Sequence, residues 1–442
     1  MEPYVVSEGT RRLAMALLML THIQIASFII GGLTIGVTAE FLSLFMPRFR
    51  ARLDRLGYGI AFFAVVIYST GAVLAIVFIW LIAQLWPPFW FSIMRINVWP
   101  MVLEAITFAL TIAFLFPYWY LWRHLERFKG VHLALGVAAV AVVHLQQAMI
   151  DVMAGYMLTP VPPENVLRVF LNPTAIPLDV HRTVGNISFA GFVIGAYAAV
   201  RALRARNDPE KRAYYDWLGG FALVIGLGFL FLQPAIGLFY LEEIRWHSPG
   251  AFNAMMRGRL SGTFLAQSFL LSLIFFLALL YLVKQTKGLK HPGATWLRIL
   301  LVLNALGGLL LIQPYVVGPS QYTLWVRWVN PIGSMQPFKY IALAAQSLTT
   351  IAAVLIYLGG RFRELRLKRI GEVNRGAQLA LIALGVMASL MMLLMGYIRE
   401  SARQPFLIWE QVRIDSPQRF PTSPIPRQPR GETPPAPDGG ER

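Results

Sequence analysis

A chain of 442 residues that is 57% hydrophobic and 14% charged is too apolar for a soluble domain and reads as a polytopic membrane protein. It contains no cysteine, which excludes disulfides, iron–sulfur clusters and thiolate-held metals, so any metal or cofactor must hang on His, Met, Glu or Asp. The net charge of +17 would suit a nucleic-acid partner, but the placement of that charge excludes one.

Ten apolar segments follow in chain order, at 12–38, 57–85, 98–122, 131–158, 178–203, 215–241, 261–283, 296–317, 338–360 and 376–399. About 20 apolar residues span a hydrocarbon core about 30 Å thick, so each is long enough to cross. The predicted fold is therefore an all-α transmembrane helix bundle over 1–410. A tail over 411–442, rich in Pro and Arg, is expected to be disordered.

Basic residues collect in alternate connections. Arg48, Arg50, Arg52 and Arg55 follow the first segment, and Arg123, Arg127 and Lys129 the third. Arg201, Arg204, Arg206, Lys211 and Arg212 follow the fifth. Lys284, Lys287 and Lys290 follow the seventh, and Arg361, Arg363, Arg366, Lys368 and Arg369 the ninth. The positive-inside rule makes these loops cytoplasmic and puts both termini outside. The opposite connections carry Trp86-Pro87-Pro88-Phe89-Trp90 and Trp325-Val326-Arg327-Trp328, an aromatic belt for the outer interface. Gln233-Pro234 and Gln313-Pro314 predict breaks in the sixth and eighth segments, either as a faint internal repeat or as two independent proline kinks.

Seven ionisable groups within these segments or just beyond their ends stand out: His22, Glu40, Glu104, His144, Asp151, His181 and Glu400. Such groups are costly in lipid and face a cavity, a partner or a cofactor. Four of them fall in the outer half, as a redox centre near the outer face requires. A neutral imidazole offers one strong axial nitrogen to heme iron. Two histidines on different segments, with no His-x-x-x-His, argue against a zinc hydrolase. For any single buried histidine, a hydrogen-bonded packing role is the more ordinary one. Asp179 is the partner such a role would give His181, and Arg399 and Arg403 would make Glu400 an ordinary ion pair.

Five stretches, in order, resemble subunit I of the cytochrome bd quinol oxidases. Arg12-Leu13, ten residues before His22, with Gly31 nine residues after it, resembles the opening that carries the ligand of the oxygen-binding heme d. Pro100-x-x-x-Glu104 resembles the glutamate motif beside the paired high-spin hemes. Gly155-Tyr-Met-Leu-Thr-Pro160 resembles the stretch that closes the family's fourth helix. Leu171-Asn-Pro173 with Val180-His181-Arg-Thr-Val184 resembles the motif whose histidine holds the low-spin heme b. Glu400-Ser-Ala-Arg403-Gln404-Pro405-Phe406 resembles the motif whose glutamate ligates the high-spin heme b, with the arginine near its propionates. The likeness covers 10–205 and 395–410 and is thin between.

The resemblance implies a low-spin heme b on His181, a high-spin heme b on Glu400, and a heme d or further heme b on His22. Glu104 would deliver protons or line the distal pocket. It also implies a second membrane subunit, dioxygen as substrate, and residence in a bacterial or archaeal cell membrane. This sequence departs from the family in three ways. The sixth ligand of the low-spin heme would be Met256 or Met255, but both precede Arg257 and Arg259 rather than follow an arginine. Ile112 stands where a second glutamate is expected, while His144 and Asp151 are additional. The outer loop that holds quinol is short, with Glu242, Glu243 and His247 as its polar groups, and an extra helix pair fills 296–360. The short loop and the basic outer residues Arg245, Arg257, Arg259, Arg327, Arg413, Arg419, Arg427 and Arg430 favour a c-type cytochrome or a heme-bearing partner over quinol as electron donor. The reading is thus a bd-like terminal oxidase subunit. Its alternative is a heme-bearing electron-transfer subunit that does not reduce oxygen, with a heme-free transporter or structural subunit behind both.

Overall fold

The computed structural model describes residues 8–312, 336 and 338–413. The predicted end of the eighth segment, Gln313-Pro314, the Trp325–Trp328 stretch and the tail from 414 onward lie outside these residues.

The chain folds as an all-α bundle. Its helices are α1 (Glu8–Phe45), α2 (Arg50–Leu85), α3 (Pro87–Ile96), α4 (Val98–Tyr120), α5 (Lys129–Leu158), α6 (Val166–Phe170), α7 (Ala175–Arg204) and α8 (Pro209–Leu230). There follow α9 (Gln233–His247), α10 (Pro249–Met256), α11 (Ser261–Gln285), α12 (Pro292–Leu309), α13 (Phe338–Leu358), α14 (Gly360–Leu367) and α15 (Arg375–Ala402). A two-strand ribbon, β1 (Phe406–Ile408) paired antiparallel with β2 (Val412–Arg413), caps α5 through the bond from Trp409 N–H to Met157 O at 3.0 Å. Ten spans among the described residues are long and apolar enough to cross a membrane, and they match the ten predicted segments in order.

Most helix ends have a local cause. Pro47 follows α1, and Pro87 opens α3 directly after α2, because proline restricts the preceding residue and cannot continue a helical ladder. The sixth segment breaks at Gln233-Pro234, with α8 closing at Leu230 and α9 opening at Gln233. One boundary departs more. α1 runs seven residues past the predicted end at 38, through Glu40, which is only 1% exposed. Glu40 does not stop the helix because its charge is met inside the protein. It takes a hydrogen bond from Tyr118 Oη (2.8 Å) and lies 2.6 Å from His132 Nδ1, and Lys129 Nζ stands 3.7 Å away.

α7 is the enclosed helix. Of its apolar stretch 61% is buried, against 22–44% for the other spans, which face lipid on one side. It packs on α1, α5, α8, α9 and α15. Close approach on two sides needs glycine. A Cβ at Gly31 of α1 would lie 2.0 Å from the backbone oxygen of Asn186, and one at Gly226 of α8 would lie 2.6 Å from the ring of Phe192. With no water to expel between helices in lipid, such small-residue contacts supply the packing that holds them. Gly31 therefore fixes how deeply α1, and with it His22, sits against α7.

At the end of the bundle carrying the basic connections, a second buried polar knot ties α14 to the core. Asp216 of α8 accepts Gln285 Nε2 (2.7 Å), Arg366 Nη2 (3.3 Å) and the Gly371 N–H (3.0 Å). In the extra helix pair, Asn304 of α12 donates to Thr349 Oγ1 (2.9 Å) and to the Gln346 carbonyl (3.1 Å) of α13.

Candidate functional site

Three of the five motifs meet at one end of the bundle, opposite the basic connections. Gly155 of α5 lets the chain after α6 come close, since a Cβ there would lie 2.4 Å from Asn172 Oδ1. Asn172 then donates to the carbonyls of Val152 (2.9 Å) and Val169 (3.0 Å), fixing the turn that starts α7. Within the Glu400 motif, Arg403 donates to Leu407 O at 2.6 Å and holds the ribbon that covers α5. This corner sets the depth of His181, six residues into α7.

His181 is held through its backbone carbonyl, which accepts Gln233 Nε2 at 2.9 Å, at the break between α8 and α9. Its imidazole faces the ring of Tyr240, with centroids 6.0 Å apart. Gly237 leaves room beside it, for a Cβ there would reach 3.4 Å from His181 Cε1. Its Nδ1 is buried without a hydrogen-bond partner among the described residues. A buried polar atom in that state calls for an explanation, and a ligand is one. Asp179 is not its partner: Asp179 Oδ1 accepts Gln147 Nε2 at 2.8 Å.

His22 of α1 has the opposite arrangement. Its Nδ1 lies 3.2 Å from the carbonyl of Gly71 in α2. A carbonyl only accepts, so Nδ1 carries the proton and Nε2 keeps a free lone pair. A ring N–H on a backbone carbonyl is the usual support behind a metal-ligating histidine. Arg182 stands within electrostatic reach of both His22 and His181.

An ionic chain runs beside these imidazoles. Arg182 of α7 pairs with Asp151 of α5, a carboxylate that is fully buried. Arg399 of α15 donates to the Ala154 carbonyl at the end of α5 (2.5 Å) and to Glu400 Oε1 (2.5 Å). Arg403 closes on the other oxygen of Glu400. Both oxygens of Glu400 are thus engaged by guanidinium groups, and each retains one lone pair as donor. The predicted ion-pair setting and the predicted ligand coincide in this residue.

Glu104 of α4 accepts Gln146 Nε2 at 3.0 Å, and the carbonyl oxygen of Gln146 lies 3.3 Å from Tyr68 Oη and 3.5 Å from Thr111 Oγ1. His144 meets Thr34 Oγ1 at 3.0 Å. Met255 and Met256 are buried in the cluster that also holds Tyr240, and Met256 Sδ lies 4.0 Å from Tyr340 Oη. Ile112, at the position of the expected second glutamate, is 39% exposed.

No family model matches the sequence, and no curated protein sequence matches it. Among solved structures, the fold resembles that of the bd oxidase from Geobacillus thermodenitrificans. The match has a TM-score of 0.51 and 12% identity, and covers 89% of this chain and 97% of the other. At that identity the likeness is one of fold, and it extends through the region where the motifs are thin.

Proposed function

We propose that this chain is the heme-bearing subunit of a bd-like terminal oxidase, carrying electrons from the outer side through a low-spin heme to a high-spin pair that reduces dioxygen to water. The reading is carried by His22 and His181. They stand on packed helices, one with a free Nε2 fixed by Gly71, the other with a buried Nδ1 that nothing else uses. Heme at these positions would supply one-electron storage and, at an open iron face, oxygen reduction.

The residues fit that cargo. His181 would hold the low-spin heme, with Met256 as a thioether donor of the kind that pairs with histidine in cytochromes. His22 would hold the oxygen-binding heme. Glu400 would serve the third through an oxygen lone pair, with Arg399 and Arg403 keeping the carboxylate ionised and in place and offering charge to heme propionates. Glu104, anchored by Gln146, would take up and release protons beside them. A second membrane subunit would cover part of the lipid-facing surface.

Replacing His22 with alanine is expected to abolish carbon monoxide binding while sparing the low-spin signal. Carbon monoxide difference spectra check this, and an unaltered difference spectrum would remove His22 from the assignment. For the donor we propose a c-type cytochrome, supported by the short connection between α9 and α11 and by Arg257 and Arg259. Oxygen uptake should be several-fold faster with reduced cytochrome c than with a short-chain quinol, and should fall as salt is raised. Fast quinol oxidation blocked by a quinone-site inhibitor would overturn that choice.

The second reading is an electron-transfer subunit that does not reduce oxygen. It is favoured by Ile112 and by the double pairing of Glu400. Hemes present without any oxygen uptake would select it.

A further inference from the structure

At the end of the bundle carrying the basic connections, a cavity of about 370 Å³ opens between the start of α8, the end of α11 and the loop before α15. Arg212, Lys284, Lys287 and Arg369 line it, with Glu372 the single carboxylate on its wall. Topology accounts for basic loops, but not for cations from three separate connections converging on one cavity.

Of these four cations only Arg369 is spent internally, on Glu372 and on the Lys287 carbonyl (3.0 Å). Glu372 is taken up by Arg369 Nε at 2.5 Å. The buried carboxylate behind the wall, Asp216, is already satisfied by Arg366, Gln285 and the Gly371 N–H. Among the described residues no carboxylate lies within ion-pair distance of Arg212, Lys284 or Lys287. Behind the wall, Gln285, 4% exposed, turns its amide inward to Asp216 Oδ1 (2.7 Å) and Tyr281 Oη (3.0 Å), so the groups facing the cavity are the cations. The cavity therefore offers Arg212, Lys284 and Lys287 as cationic donors for an anion.

We infer that this cavity binds a phosphate group. Its depth favours the headgroup of an anionic phospholipid such as phosphatidylglycerol, because Arg212 lies in the first turn of one span and Lys284 in the last turn of another. Arg212, Lys284 and Lys287 hold the phosphate oxygens. A soluble phosphate compound presents the same chemistry from the aqueous side. The inference does not depend on the redox reading.

The test uses the full-length protein, delipidated in detergent. Native mass spectrometry would follow its titration with phosphatidylglycerol, with phosphatidylcholine and with inorganic pyrophosphate. Phosphatidylglycerol should bind in preference to phosphatidylcholine, and Arg212→Gln with Lys284→Gln should weaken it about tenfold or more. A control, Arg123→Gln with Arg127→Gln, removes two cations from the same end of the bundle but outside the cavity, and should leave binding intact. Charge-keeping Arg212→Lys with Lys284→Arg should retain most of it and guards against misfolding of the neutral pair. Pyrophosphate bound in place of phosphatidylglycerol, with the same dependence on the variants, would support the phosphate site and assign the soluble source. Equal loss in the cavity and control variants, or equal binding of phosphatidylcholine, would overturn the proposal, leaving only diffuse surface charge.

Discussion

Replacing His181 with alanine should remove the low-spin heme signal almost completely and stop electron entry, while carbon monoxide still binds at the site that His22 would hold. The expectation follows from the imidazole's setting. Nothing among the described residues bonds its buried Nδ1, and Gly237 leaves the width of about one methyl group beside the ring. A packing histidine would instead be tied to a neighbour, and Asp179, the nearest candidate, is tied to Gln147. Reduced-minus-oxidised spectra with a heme-to-protein ratio check the result. Because Gln233 grips the backbone carbonyl of residue 181 rather than its side chain, the variant should keep the break between α8 and α9 and remain foldable. A full low-spin spectrum in His181→Ala would dismiss this ligand.

The second large effect is on stability. Asp151→Ala leaves Arg182 facing a hole where its carboxylate was, and Arg399 loses an electrostatic partner as well. Removing one member of a buried pair costs about 3–5 kcal/mol, mostly from the charge left without a counterion. Arg182 keeps 23% of its side chain exposed, so the lower end of that range applies. The double variant, Asp151→Ala with Arg182→Ala, should recover a substantial part of the loss, since no charge is then stranded between α5 and α7. Thermal inactivation of the two single variants and the double variant in detergent measures the coupling. Losses that simply add, or a single-variant loss near zero, would contradict the pairing.

The ten spans were legible because the bilayer sets their length and their flanking charge, and both are local properties of the sequence. The break at Gln233-Pro234 was legible for the same reason: a proline has one effect on a helix wherever it stands. The partners of the buried charges were not local. Glu40 stood two residues beyond the predicted first span, and His132 lies 92 residues away and Tyr118 78 away, so nothing nearby announced that α1 would continue past it. Asp151 and Arg182 were nearer to being readable. Asp151 stands seven residues before the end of α5 and Arg182 seven residues after the start of α7, so opposite charges at equal depth were available as a signal. The motif glycines gained a physical reason only in three dimensions. Gly31 admits the backbone of Asn186, and Gly155 admits the side chain of Asn172. Neither contact follows from spacing along the chain.

The most direct test of the account is the heme content of the purified protein. A pyridine hemochrome assay, combined with a reduced-minus-oxidised spectrum, should find more than one heme per chain, with a low-spin component and a separate high-spin component that shifts on adding carbon monoxide. A protein that is correctly folded and retains its membrane partners, yet contains no heme, would contradict the account at its centre.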